Sequence, residues 1–115
     1  MSNVVMINRG DSYSFDITIE DDTTETGLYE LAENDVVYFG LMEPHQPFEH
    51  AILKKRFTFE NVNTIGLIPV KIRADETVDL EPGIYYYAIK LLQNAGTEDE
   101  AVITVINKTK FIIND

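Results

Sequence analysis

Residues 79–91, DLEPGIYYYAIKL, restrict the fold more than any other stretch of the chain. A Pro-Gly pair, which is typical of a turn, leads directly into a run of aromatic and aliphatic residues that is typical of a strand. Pro82 presets the φ of the second residue of a turn, and Gly83 can take the positive φ that a type II turn needs at the next position. The pattern therefore predicts a chain reversal, with a strand that begins at Ile84.

The strand predicted after this turn has two unequal faces. Successive side chains of a strand point to opposite sides, and only the even-numbered side carries a charge, at Lys90. We therefore predict that the odd-numbered side chains, Tyr85, Tyr87, Ile89 and Leu91, lie in the core. The structural corner predicted here consists of Leu80, Pro82, Gly83, Tyr85 and Tyr87.

Six further stretches have the composition or alternation of strands: 3–7, 13–19, 36–42, 51–59, 65–72 and 101–113. The charged outer side of 51–59 favours an edge position, Pro69 favours an edge position or a bulge, and Gly40 indicates a bulge or close packing. The apolar markers of the last stretch are Val102, Ile106, Phe111 and Ile113, together with Thr104. A single helical turn is expected at 74–78. The pattern predicts one domain, 1–115, folded as an all-β antiparallel sandwich of about seven strands.

Composition narrows the range of partners. Nine basic and twenty acidic residues give a net charge of −11, and this negative field repels phosphate backbones and anionic membranes. The chain has no cysteine, and 44% of its residues are hydrophobic, so burial must hold the fold together. No stretch approaches the roughly 20 apolar residues of a membrane helix. We expect a protein that is made in the cytoplasm, does not bind nucleic acid and does not insert into a membrane.

Three stretches together carry a family resemblance: 7–17 (INRGDSYSFDI), 31–39 with its DVVYF end, and 74–91, where ADET is followed by LEPGIYYYAIKL. In this order and spacing they resemble the immunoglobulin-like domain of tailed-phage baseplate upper proteins and related virion proteins. The resemblance implies an immunoglobulin-like β-sandwich located in the virion, at the tail, the baseplate or the head. It also implies a protein made in the host cytoplasm that docks on other virion proteins, including copies of itself, and performs no catalysis.

Immunoglobulin-like sandwiches often contain a tyrosine whose hydroxyl bonds back to the chain upstream, called a tyrosine corner. Tyr85 and Tyr87 are the candidates for this role. A merely buried aromatic residue would satisfy the same pattern.

The loops after the second, fourth and sixth strands of such a sandwich gather at one end. Here they are 20–26, 60–63 and 94–100, all rich in carboxylates or asparagine. Such groups are the ligands that calcium prefers, which makes Asp21, Asp22 and Asp99 candidate ligands, but no ordered calcium loop is present. A solvated acidic end is the alternative. Glu43, His45, Glu49 and His50 share one loop and form a weaker zinc candidate, because their spacing is irregular.

Two hypotheses on interaction remain. Exposed edges, chiefly 51–59 and the terminal strands, are expected to pair with or pack on neighbouring subunits, since an unpaired strand edge can accept another chain. The alternative function is a carbohydrate-binding or host-surface adhesion module. It would need an exposed aromatic platform, for which the candidates are Tyr29, Tyr38, Phe48 and Tyr86.

No enzyme motif, such as a nucleophile elbow or a phosphate-binding loop, is present, and we expect no enzymatic activity.

Overall fold

A computed structural model of the protein describes residues 4–25, 27–61 and 67–115. The strands are β1 (Val5–Asn8), β2 (Tyr13–Ile17), β3 (Val36–Met42), β4 (Leu53–Phe57), β5 (Ile68–Ile72), β6 (Gly83–Gln93) and β7 (Ala101–Asn114). The helical segments are α1 (Ala74–Thr77) and two 3₁₀ turns, Phe48–His50 and Phe59–Asn61. The predictions made for Thr26, Val62, Asn63 and Ile65 lie outside the described residues. None of the helices in the described ranges has the length and hydrophobicity needed to cross a membrane.

Two sheets pack face to face, one of five strands in the order β1-β7-β6-β3-β4 and one of two strands, β2-β5. The all-β sandwich of about seven strands is confirmed. The expectation of purely antiparallel pairing is wrong at one place, because β1 pairs with β7 in parallel. The edge positions predicted for the 51–59 strand and for the strand with Pro69 are confirmed: β4 ends the large sheet, and within the described ranges β5 pairs with β2 alone.

The aromatic strand β6 lies in the middle of the large sheet, between β7 and β3. Its odd-numbered side chains are buried as predicted: Tyr85, Tyr87, Ile89 and Leu91. The Tyr87 ring stacks on Phe39 with centroids 5.8 Å apart and meets Phe111 edge to face at 6.2 Å. Phe15 of the small sheet reaches both Phe39 and Tyr87. The aromatic core therefore joins the two sheets at this strand.

The tyrosine corner is present and is formed by Tyr85. Its hydroxyl donates a hydrogen bond to the carbonyl oxygen of Glu81 at 2.7 Å, and burial raises the pKa of Tyr85, with the nearby Glu43 and Glu81 adding to the effect.

The turn predicted before β6 is not of type II. Gly83 has φ of 156°, far from the value of about 80° required by that turn, because Gly83 is already the first residue of β6.

We expect Tyr85→Phe to destabilise the fold by about 1 kcal/mol, the typical net value of one internal hydrogen bond. Tyr86→Phe is the matched control, since Tyr86 is the next residue along β6 and lies on the opposite face. Urea unfolding of both variants would measure the difference. Equal stabilities would mean that the corner hydrogen bond does not contribute.

The first half of β7 departs from the predicted alternation. The pairing with β6 is irregular between Tyr87 and Lys90, where partners change from Thr109 to Ile106 and then to Thr104. Such a bulge adds residues to one strand and shifts its alternation. The two irregularities cancel, because Tyr85 pairs with Phe111 and Leu91 with Ile103, so odd-numbered residues lie on the inner side at both ends of β7. Val102, predicted as a core marker, is therefore on the outer side and 58% exposed, and Thr104 is also exposed, whereas Phe111 and Ile113 are buried as expected.

The predicted helical turn at 74–78 is confirmed as α1, and two polar contacts fix it in place. Thr77 is fully buried, and its hydroxyl accepts a hydrogen bond from the Gly10 N–H at 3.1 Å and contacts the Asp11 carbonyl at 2.9 Å. Glu76 accepts bonds from Lys55 of β4 at 2.7 Å and from the Arg73 N–H at 2.9 Å. These contacts connect α1 to the β1–β2 turn and to the sheet edge.

The Glu76 contacts predict a pH dependence of stability. Burial alone would raise the pKa of Glu76, but the hydrogen bonds from Arg73 and Lys55 outweigh it and lower this pKa below its ordinary 4.5. A carboxylate with a lowered folded-state pKa contributes stability above its unfolded pKa and loses it as the pH falls through that range. Glu76→Gln should therefore lower the free energy of unfolding by about 1–2 kcal/mol at pH 7, with a smaller difference from wild type at pH 3. A difference that is equal at both pH values would contradict this.

Candidate docking surface

The five-stranded sheet has one buried face and one face that the small sheet does not cover. The buried face packs on Ile17, Ile68, Val70 and Ile72 of β2 and β5. The other side of the sheet, which we call the outer face, carries the alternate residues of β3, β4, β6 and β7 together with Met6 of β1. One cross-strand row of this face runs Arg56, Tyr38, Lys90, Thr104 across four strands.

Basic side chains are concentrated on the outer face. Five of the nine basic residues of the chain lie there: Lys54, Arg56, Lys90, Lys108 and Lys110. None of the five forms a salt bridge with any residue in the described part of the chain, whereas Arg9, Lys55 and Arg73 all do. A chain of net charge −11 thus presents one face whose five basic side chains are outside the salt bridges of the described residues. Lys108 donates a hydrogen bond to the Gln46 carbonyl oxygen at 2.8 Å, and Glu49 lies beside Lys90 and Lys108.

Phe48 occupies the middle of this face. A Cβ on Gly40 would lie 2.6 Å from Phe48 Cε2, so the absence of a side chain at residue 40 lets the ring lie directly on the sheet. The Lys54 and Lys90 ammonium groups lie 5.3 and 5.0 Å from the ring centroid, within the range of a cation–π interaction. The close packing predicted at Gly40 is confirmed, and its effect is to hold two lysines around one ring.

Apolar side chains adjoin the basic ones. Met6, Ile112 and Ile84 are paired in register across β1, β7 and β6, and Met6 and Ile84 are 61% and 47% exposed. Val102 adds a further exposed apolar side chain on β7. Apolar residues ringed by charge are typical of surfaces that bind another protein.

A groove of about 790 Å³, lined by both polar and apolar groups, is a second uncovered surface, located between β2 and the first half of β7. Its apolar lining includes Phe15, Ile17, Ile19, Ile103 and Ile106. In the described residues β2 pairs only with β5, and β7 before Phe111 pairs only with β6. The groove is therefore flanked by two strand edges that could accept a further strand.

Two of the three loops predicted to share one end of the sandwich, those after β2 and after β6, lie at the same end, whereas part of the third, 60–63, falls outside the residues that the structure describes. The last residues of β6 and β4 lie beside the first residues of β3, and Tyr29, which follows the loop after β2, bonds to Gln93 at the end of β6. We call residues 20–35 and 94–100 the acidic end. It contains ten of the twenty acidic residues and no basic residue.

Asp35 fixes the geometry of the acidic end. It is only 2% exposed, and its carboxylate accepts hydrogen bonds from the Tyr29 hydroxyl, the Ala32 N–H at 2.9 Å and the Asn94 N–H at 3.2 Å. Burial and the bond to Asp35 raise the pKa of Tyr29. The role of Asp35 was not predicted from the sequence, although an Asn-Asp pair directly before a buried strand is a signal for such a side-chain-to-backbone bond.

The structure does not assemble a metal site from the candidate ligands. In the described ranges no three His, Asp or Glu side chains form a group that could hold a metal ion, which applies both to Asp21, Asp22 and Asp99 and to the Glu43–His50 loop. Asp21 instead accepts hydrogen bonds from the N–H and hydroxyl of Thr23 at 2.9 and 2.6 Å, which lower the pKa of Asp21. Its carboxylate shapes its own turn.

The candidate aromatic platform is divided. Tyr38, Tyr86 and Phe48 share the outer face, but Tyr29 lies at the acidic end and is bonded to Asp35. The residues of the structural corner serve the fold: Leu80 and Pro82 lie just before β6, and Gly83, Tyr85 and Tyr87 lie in its first half. The outer face is thus the surface that combines exposed apolar, aromatic and basic groups.

Comparison with protein-family models and with curated protein sequences found no match to this chain.

Proposed function

We propose that this protein is a non-catalytic structural component of a tailed-phage virion, in which the outer face of the five-stranded sheet docks on other virion proteins. The observation that carries the proposal is the concentration of basic, aromatic and exposed apolar side chains on that one face of an otherwise acidic domain. The resemblance of residues 7–17, 31–39 and 74–91 to baseplate-type domains supports the virion as the setting.

The surface chemistry suits protein partners. Basic residues around an apolar patch select a partner with a complementary acidic rim, and such complementarity sets specificity and association rate. Lys54, Arg56 and Lys110 are exposed, so their contribution would be sensitive to salt. The strand edges of β1 and β4 and the β2–β7 groove offer further places for strand addition.

The test is to purify particles from cells that produce the virus encoding this chain and to quantify the protein by mass spectrometry. A fixed copy number per particle is the expected result. A genome that lacks the reading frame would then be complemented with wild type, with Lys54→Glu/Arg56→Glu, or with the control Lys71→Glu, which alters a lysine of β5 in the small sheet. Absence of the protein from washed particles, or full incorporation of the outer-face variant, would overturn the proposal.

A second candidate, adhesion to a host carbohydrate, is favoured by the presence of Tyr38, Tyr86 and Phe48 on the same face. Aromatic rings can stack on the apolar faces of sugars. Glycan-array binding that is lost in Tyr38→Ala/Tyr86→Ala and kept in Tyr29→Phe would support it. An array without signal for the wild-type protein would exclude it.

A further inference from the structure

We propose that the acidic end of one copy docks on the outer face of a second copy, which gives a head-to-tail contact between identical chains. This inference rests on the proposed function, since it names the chain itself as a partner of its own docking face. The two surfaces are different parts of the same molecule, so the contact is heterologous. Repetition of such a contact closes a ring or extends a filament.

Charge complementarity identifies the occupant. The outer face holds five basic residues without salt bridges in the described part of the chain, and the acidic end holds ten carboxylates with no basic residue. Glu20, Asp22, Glu25, Glu98 and Asp99 of the acidic end are exposed. Each copy therefore carries both halves of one complementary pair.

The negative net charge does not prevent this contact. At physiological salt, interactions between exposed charges are screened beyond about 8 Å, so the charges that face each other across the interface outweigh those on remote surfaces. The exposed apolar groups on the outer face, Met6, Ile84 and Val102, add a contribution that salt does not screen. We expect association to weaken between 0.1 and 1 M NaCl without being abolished.

The experiment uses two variants of the full chain, each with one damaged half. The face variant is Lys54→Glu/Arg56→Glu/Lys110→Glu, and the end variant is Asp22→Lys/Glu25→Lys/Glu98→Lys. Sedimentation velocity would measure the oligomeric state of the wild-type chain, of each variant alone and of their equimolar mixture. Lys71→Glu is the control. Circular dichroism and melting curves would verify that all chains are folded.

The head-to-tail contact predicts a specific pattern. The wild-type chain and Lys71→Glu associate with increasing concentration, and each variant alone stays monomeric, with a dissociation constant raised at least roughly 100-fold. The mixture associates again, because the intact acidic end of the face variant meets the intact face of the end variant, and the two reversed surfaces are complementary as well. A chain that carries all six reversals has both charges exchanged and associates again.

Three results would overturn the inference: a wild-type chain that is monomeric at every concentration, a face variant that still associates alone, or a mixture that does not associate. If the face variant alone and the end variant alone both still associate, the self-contact would instead be assigned to the β2–β7 groove or a strand edge. A monomeric wild-type chain that is nevertheless found in particles would overturn the head-to-tail contact and leave the proposed function standing.

Discussion

Tyr87→Ala is expected to destabilise the protein by about 3–5 kcal/mol, the usual cost of deleting a large buried aromatic side chain. Tyr87 is 3% exposed and contacts the rings of Phe15, Phe39 and Phe111, so its removal leaves a cavity where the two sheets meet. Domains of this size are stable by only about 5–15 kcal/mol, and the variant should unfold at a much lower urea concentration.

The matched control is Tyr86→Ala, which deletes the same number of ring atoms one residue earlier on the outer face. We expect this variant to lose less than about 1 kcal/mol, because half-exposed surface residues contribute little to stability. Chemical unfolding followed by tyrosine fluorescence or circular dichroism would measure both values. Equal losses would contradict the assignment of the two faces of β6.

Asp35→Ala is the second large effect, with an expected loss of about 2–4 kcal/mol. The substitution removes a buried carboxylate that accepts three hydrogen bonds, so the donors of Tyr29, Ala32 and Asn94 lose this acceptor. Hydrogen bonds to a charged group contribute about 1.5–3 kcal/mol. Because these donors belong to separate segments, the 20–35 and 94–100 loops should also lose their relative order.

Asp35→Asn separates the role of charge from that of shape. The amide keeps one acceptor oxygen but replaces the other with an NH₂ group, which cannot accept a hydrogen bond from the donors around it. Asp35→Asn should therefore recover only part of the stability that Asp35→Ala loses. Glu33→Ala, at a neighbouring exposed acid, is the control and should be close to wild type. Amide hydrogen exchange would report the loops directly. Unchanged protection at Asn94 in Asp35→Ala would contradict the proposed role of Asp35.

The sequence predicted those parts of the fold that depend on local alternation. Tyr85 and Tyr87 could be placed in the core because Lys90 marks the opposite side of the same strand. The pairing of β1 with β7 could not be predicted, since local pattern does not specify which strands meet or in which direction. The exposure of Val102 was missed for a related reason: apolar residues occupy both sides of 101–106, and only the register with β6 shows that the odd-numbered side faces inward at this end of β7.

Buried polar residues and surface patches were harder to predict. Asp35 and Thr77 are residue types typical of surface loops. Only their hydrogen-bond partners in other segments show that they hold the fold together. The basic character of the outer face is invisible in a chain of net charge −11, because Arg56, Lys90 and Lys108 come from three strands separated in sequence. They become neighbours only once the cross-strand register is known. The 20–26 and 94–100 parts of the acidic end could be predicted, since each of these loops is acidic by itself, whereas 27–35 could not.

The central claim is that the outer face is the docking surface, and lysine acetylation followed by mass spectrometry tests it most directly. The wild-type chain itself supplies both the lysines that act as probes and a lysine that acts as the control. Lys54, Lys90, Lys108 and Lys110 lie on the outer face, and Lys71 lies exposed on β5. We predict that the four outer-face lysines react readily in the isolated chain and are protected in assembled particles, while Lys71 reacts equally in both. Equal reactivity of the four lysines in the two states, or protection of Lys71 in their place, would contradict the account.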